Sequence, residues 1–153
     1  MKSRTIFTQS EEETIALGQT LAAGLPAQIA VLLIGNLGAG KTTLAKGIVK
    51  GLGAAEPNEV SSPTFTLIHE YSPSVYHVDL YRLDRADQVA TLGLDEIFDR
   101  RAVVLVEWGE RFLELMPEER VEIRLRAVGE NEREIMILST LAFSIPDSRS
   151  PRP

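Results

Sequence analysis

The sequence contains no cysteine, so disulfides, thiolate metal centres and cysteine nucleophiles are excluded. It has no apolar stretch approaching the ~20 residues that a membrane-spanning helix needs. Met1-Lys2-Ser3-Arg4 lacks the apolar core of a secretory signal. Basic charge is in deficit, with 16 Lys and Arg against 22 Asp and Glu, a net charge of −6. That argues against non-specific DNA binding, which depends on many phosphate contacts. Aromatic residues make up only 6% of the chain, and Trp108 is the single tryptophan. What remains is an ordinary globular composition of 153 residues, 44% apolar and 25% charged, enough for one domain with a sizeable core. The expected location is cytoplasmic, where nucleoside triphosphates are available, with no membrane partner.

Against that background one segment stands out. Gly35-Asn36-Leu37-Gly38-Ala39-Gly40-Lys41-Thr42 fits the phosphate-binding (Walker A) pattern G-x-x-x-x-G-K-[ST]. The apolar run Ile29–Ile34 reads as a buried strand entering it, and Thr43 to Val49 leaves it with helical spacing. Glycines let successive N–H groups turn inward around an anion. The helix start adds unpaired N–H groups and a positive dipole end. Lys41 supplies a point charge for the β- and γ-phosphates, and the Thr42 hydroxyl is a Mg²⁺ ligand candidate. No Asn-Lys-x-Asp segment is present to read guanine, which leans the expected cofactor toward ATP with Mg²⁺.

Ser10-Glu11-Glu12-Glu13 reads as a capping box that opens a helix running to about Ala23. Phe65 to Tyr71 and Val75 to Asp79 read as two strands joined by a tight antiparallel turn at Ser72-Pro73-Ser74. Arg85 to Arg100 reads as helical, broken around Gly93. Ala102 to Val106 is a continuous apolar run, hence a buried strand. Glu107 to Leu115 is a short helix or loop. Val121 to Arg126 alternates strictly, and Arg133 to Leu138 returns from the Gly129-Glu130-Asn131 turn as its hairpin partner. The expectation is an α/β fold: a single three-layer P-loop NTPase domain with a mixed sheet and an antiparallel C-terminal hairpin. It covers residues 1–145, and the Pro-, Ser- and Arg-rich residues 146–153 are expected to be a disordered tail.

Ligands of such sheets sit beyond the carboxyl ends of the strands. Asp79 and Glu107 each end an apolar strand there, so each is a candidate catalytic acid and Mg²⁺ ligand. The sequence leaves open which of them meets the metal. Ser62-Pro63-Thr64-Phe65-Thr66 lies where nucleotide-sensing switch segments sit, with Thr64 or Thr66 a candidate for the γ-phosphate or metal. Trp108 is either a rim aromatic of the site or core filling. His77 shares the strand face of Asp79 and reads first as a hydrogen-bonded structural histidine. Arg82 is a candidate for phosphate neutralisation or, more simply, for a surface ion pair.

These residues together resemble the bacterial TsaE (YjeE) family. The resemblance spans about Ser10 to Leu138 and rests on four segments. They are Gly35 to Thr43, Ser62-Pro63-Thr64-Phe65-Thr66-Leu67, His77-Val78-Asp79-Leu80-Tyr81-Arg82, and Val106-Glu107-Trp108. It implies an ATPase that is feeble alone and acts with TsaB and TsaD in making threonylcarbamoyladenosine on tRNA, beside the anticodon. The tRNA would be met indirectly, through that complex. It implies Lys41 and Thr42 at phosphate and Mg²⁺, Glu107 at Mg²⁺, Asp79 in hydrolysis or metal binding, a switch at Thr64, and Trp108 near the nucleotide. It also places Thr8, Ser10, Glu13 and Thr14 near adenine. One departure is Asn36, where the family usually has Asp. The competing readings are a small-molecule P-loop kinase, with Asp79 as base, and a nucleotide-gated binding module. A kinase would need a closing lid, and no long insertion suggests one.

Overall fold

The computed structural model describes residues 2–140 of the chain. The tail expected at 146–153 lies outside the described residues. The elements are β1 (Lys2–Thr8), α1 (Glu11–Gly24), β2 (Ile29–Ile34), α2 (Lys41–Gly51), β3 (Ile68–Ser72), β4 (Val75–Asp79), α3 (Ala86–Ala90), α4 (Leu94–Phe98), β5 (Val103–Glu107), β6 (Arg120–Ala127) and β7 (Arg133–Ser139).

Seven strands form one sheet in the order β1-β7-β6-β2-β5-β4-β3. The centre is parallel, with β2 between β5 and β6 and β4 beside β5. The flanks are antiparallel, β6–β7–β1 on one side and β3–β4 on the other. Strand periodicity divides the core between two faces. Val31, Leu33 and Leu105 pack with Leu17, Leu21, Leu44 and Ile48 of α1 and α2. Leu32, Val78, Val104 and Val106 pack on the opposite face with Val89, Leu94, Ile97, Phe112 and Met116. The result is the expected three-layer mixed α/β fold.

The α1–α2 contact depends on missing side chains. A Cβ on Gly47 would lie 2.1 Å from the Ile15 carbonyl oxygen, and one on Gly18 would lie 2.7 Å from backbone atoms of Leu44 and Ile48. The two backbones therefore meet directly, which fixes the helix that leaves the phosphate loop.

Several local expectations are revised. β1 was not anticipated; it pairs with β7 along its whole length and buries Ile6. β3 begins at Ile68, not Phe65, because the chain turns at 64–67 and Leu67 adopts a left-handed φ of 70°. The capping box is half realised. Ser10 Oγ accepts from the Glu13 N–H at 3.1 Å, but Glu13 reaches the Gln9 N–H at 2.8 Å, one residue beyond the cap. Glu107 closes β5, and the following Gly109–Leu115 segment is two 3₁₀ turns separated by a kink at Phe112. Among the described residues no helix is long and apolar enough to cross a membrane.

Candidate functional site

The carboxyl ends of β2, β4 and β5 meet at one edge of the sheet, where a chain leaving β2 must turn before α2. Gly38 (φ 82°) and Gly40 (φ 104°) take left-handed conformations that any other residue would resist. A Cβ on Gly38 would meet nothing within 4 Å, so open space lies before it. The first N–H groups of α2 have no intrahelical acceptors and face outward from the helix end. A cavity of about 470 Å³ opens over this turn.

Lys41 is 5% exposed. Its Nζ donates to the Gly35 carbonyl at 2.7 Å and sits 3.6 Å from the centroid of the Trp108 ring. Burial lowers its pKa, while Glu107, Glu110 and Asp79 pull it back up. The Arg111 guanidinium also lies over Trp108, at 4.5 Å, and Arg111 donates to the Tyr81 carbonyl at 3.0 Å. Trp108 itself has a left-handed φ of 67°, which turns the chain sharply after Glu107. Burial raises the pKa of Glu110, opposed by Lys41 and Arg111.

Asp79 and Glu107 are register partners on adjacent parallel strands, 2% and 3% exposed. Both belong to the face that carries α1 and α2. Their partners differ. Asp79 Oδ2 accepts from the hydroxyls of Ser62 at 2.5 Å and Thr64 at 3.0 Å, and Oδ1 accepts from the Tyr81 N–H at 2.9 Å. Glu107 Oε2 lies 2.6 Å from His77 Nε2. His77 is wholly buried, and its Nδ1 has no hydrogen-bond partner among the described residues.

Of the residues singled out in the sequence, Leu37, Gly38, Gly40, Lys41, Thr42, Thr43, Thr64, Asp79, Glu107 and Trp108 line the cavity. Thr14 lines it too, whereas Thr8 does not; the Thr8 hydroxyl is instead 2.7 Å from that of Thr14. Ser10 is spent on capping α1. Gly35 supplies its carbonyl to Lys41, Ala39 is in the core, and Asn36 is exposed, its carbonyl accepting from the Ala39 N–H at 3.0 Å. Arg82 does not line the cavity, and among the described residues no carboxylate forms an ion pair with it. Its guanidinium rests 4.2 Å from the ring centroid of Phe65. Three lining residues were not anticipated: Glu11, Asn131 and Arg133. Arg133 donates to the Gly38 carbonyl at 3.2 Å and to the Glu132 carbonyl at 2.9 Å, clasping the glycine turn from the β6–β7 hairpin. Its only sequence signal is its place after a turn, which says nothing about β2.

A family model described as "Threonylcarbamoyl adenosine biosynthesis protein TsaE" matches residues 8–135. The chain belongs to the TsaE family. It is 44% identical to the tRNA threonylcarbamoyladenosine biosynthesis protein TsaE of Bacillus subtilis, over 88% of this chain and 85% of that relative. It is 36% identical to the TsaE of Rickettsia felis, over 91% of this chain and 82% of the relative. The crystal structure of Bacillus subtilis YdiB superposes with a TM-score of 0.73 at 37% identity, covering 90% of this chain and 86% of that one. The family thus ties the chain to threonylcarbamoyladenosine biosynthesis, and its fold is that of P-loop NTPases.

Proposed function

We propose that this chain is a Mg²⁺-dependent ATPase, slow by itself, that serves tRNA threonylcarbamoyladenosine formation by cycling TsaB and TsaD between states. One observation carries the reading: Lys41 and Thr42 of the glycine turn, the acids Asp79 and Glu107, and Thr64 all border one cavity. Inward N–H groups and Lys41 would hold the phosphates. Lys41 would leave the Gly35 carbonyl for the β- and γ-phosphates.

The donor set fits Mg²⁺, which usually takes one or two carboxylates and completes its shell with phosphate and water. Among the described residues there is no cluster of three acidic or histidine ligands, as a dedicated protein cage would need. Thr42 and Glu107 would hold the ion, which when bound neutralises charge developing between the β- and γ-phosphates. Asp79 has both oxygens engaged by Ser62, Thr64 and the Tyr81 N–H. That supports a different task for Asp79: holding the Ser62–Thr64 segment and releasing or orienting it as the γ-phosphate comes and goes. A partner sensing that segment would then prefer one nucleotide state.

The test follows the γ-phosphate of labelled MgATP with the full chain alone, then with TsaB, TsaD and tRNA. Slow free phosphate release, accelerated by the partners, is expected. Label transferred to a small molecule, indifferent to the partners, would make the chain a kinase and end this reading.

A further inference from the structure

The structure assigns His77 as the positioning residue of Glu107: its Nε2–H holds one carboxylate oxygen so that the other is presented to the cation. The inference rests on the reading of Glu107 as a Mg²⁺ ligand. Three observations carry it.

First, the pair is short and buried. His77 Nε2 lies 2.6 Å from Glu107 Oε2, with the side chains 0% and 4% exposed. A buried carboxylate oxygen needs a donor, and the His77 ring stands at hydrogen-bond distance from this one.

Second, the other ring nitrogen is an orphan. Nδ1 is buried without a hydrogen-bond partner among the described residues. A proton there would be an unpaired buried donor, and Nε2 would then face Oε2 as lone pair against lone pair. Nε2 therefore carries a proton, and the bond runs from His77 to Glu107.

Third, the scaffold fixes the direction. His77 and Asp79 are two residues apart on one face of β4, and Asp79 is the register partner of Glu107 on β5. The ring of Tyr71 on β3 lies 6.4 Å away, tilted by 35°. The imidazole thus sits behind the carboxylate, one strand step deeper in the sheet than the cavity edge. The ring engages Oε2, and Glu107 borders the cavity, so Oε1 is the oxygen that would be offered to a cation there. A donor behind a ligating carboxylate sets both its orientation and its charge distribution. Loss of such a donor typically costs ~10–100-fold in metal affinity.

The experiment measures the Mg²⁺ concentration for half-maximal retention of a fluorescent ADP analogue by the full chain, with a parallel titration in EDTA. Neither readout needs turnover. His77→Leu fills the buried space without a donor. His77→Gln places an amide N–H near the Nε2 position, whereas His77→Asn reaches only the Nδ1 position. The expected result is a Mg²⁺ requirement raised about tenfold in H77L and H77N. H77Q should recover most of it, and affinity in EDTA should stay unchanged in all three. Thermal unfolding is followed in parallel, since a purely structural histidine would move stability in H77Q and H77N without separating their Mg²⁺ dependence. Unchanged Mg²⁺ dependence in H77L, or equal behaviour of H77Q and H77N, overturns the inference. Glu107→Gln separates the two levels. If E107Q also leaves the Mg²⁺ requirement unchanged, the metal-ligand reading itself fails; if E107Q raises it and H77L does not, only the role of His77 fails.

Discussion

The ammonium of Lys41 lies 3.6 Å from the centroid of the Trp108 indole, on the ring that Arg111 covers from 4.5 Å. A cation held on an aromatic face is stabilised by about 0.5–2 kcal/mol, enough to park the side chain but not to lock it. An incoming triphosphate offers a stronger partner, so Lys41 should leave the indole when the site fills. Trp108 is the only tryptophan, which makes the event readable. Its fluorescence should change on adding MgATP or MgADP. Lys41→Ala should lose that nucleotide-dependent change at the same concentrations, together with turnover. Normal turnover in K41A would remove the phosphate-loop argument.

The same lysine links binding to protons. Burial holds its pKa below the ordinary 10.5. Between the lowered folded value and 10.5 the unfolded chain binds more protons, so Lys41 makes stability rise with pH there. Fully protonated, below the folded value, it carries the whole desolvation cost. Phosphate oxygens reverse the sign, because an anion beside the ammonium favours the charged form. Nucleotide binding should therefore take up protons at alkaline pH and weaken as pH climbs through the free-site pKa. Calorimetry in buffers of different ionisation enthalpy measures the uptake. Lys41→Arg should abolish it, since arginine stays charged throughout.

Asp79 should behave as a tether. It holds the hydroxyls of Ser62 and Thr64 and the Tyr81 N–H with one buried carboxylate, and its own N–H donates to the Leu67 carbonyl at 2.9 Å. Hydrogen bonds to a charged group contribute about 1.5–3 kcal/mol each, less where water replaces the partner. Asp79→Ala should cost about 2 kcal/mol by denaturant unfolding. Amide exchange should speed up selectively over 61–67. Uniform exchange across the chain would show a general loss of stability and no tether.

The glycine turn, its strand and its helix were legible because each follows a local rule: apolar run, glycines where φ must be positive, lysine at the helix start. Asp79 and Glu107 were legible as strand-end acids for the same reason. What local patterning could not show was the pairing of distant edges. β1 carries Lys2, Ser3, Arg4 and Thr5, a polar run suited to a sheet edge but giving no apolar alternation, so it was missed until β7 supplied its partner. Asn131 and Arg133 reach the cavity only because the β6–β7 hairpin joins the sheet through the pairing of β6 with β2. Phe65, with β-favouring neighbours, looked like a strand residue, yet it is 81% exposed beneath the Arg82 guanidinium. The turn that puts it there runs through the Leu67 N–H to the Pro63 carbonyl at 2.7 Å, a contact that no propensity scale encodes.

Arg133 should matter for the shape of the glycine turn. Its fork joins the Gly38 carbonyl to the hairpin carbonyls of Gly129, Glu130 and Glu132. Arg133→Ala should weaken nucleotide binding about tenfold, the equivalent of one charge-assisted hydrogen bond. Arg133→Lys should recover little, because a single ammonium cannot span both carbonyl groups. Binding of a fluorescent ADP analogue checks both; full recovery in R133K would reduce the role of Arg133 to its charge.

Gly47 tests whether the site depends on packing far from the cavity. It sits in the second turn of α2, buried against α1, and a Cβ there would lie 2.1 Å from the Ile15 carbonyl oxygen and 2.9 Å from the Ile15 Cα. No rotamer relieves a clash with backbone, so the helices must separate or α2 must slide. Glycine in a helix interior costs about 1 kcal/mol relative to alanine, so propensity alone favours Gly47→Ala. Overpacking costs about 1–3 kcal/mol and more where backbone has to move, so the clash should win. Any slide of α2 also carries Lys41 and Thr42, which begin that helix. G47A should therefore unfold at lower denaturant and bind nucleotide less tightly even where it is fully folded. Lys50→Ala, an exposed change on the same helix, should do neither. A folded G47A with unaltered nucleotide affinity would show that the loop holds its shape independently of the helix pair beneath it.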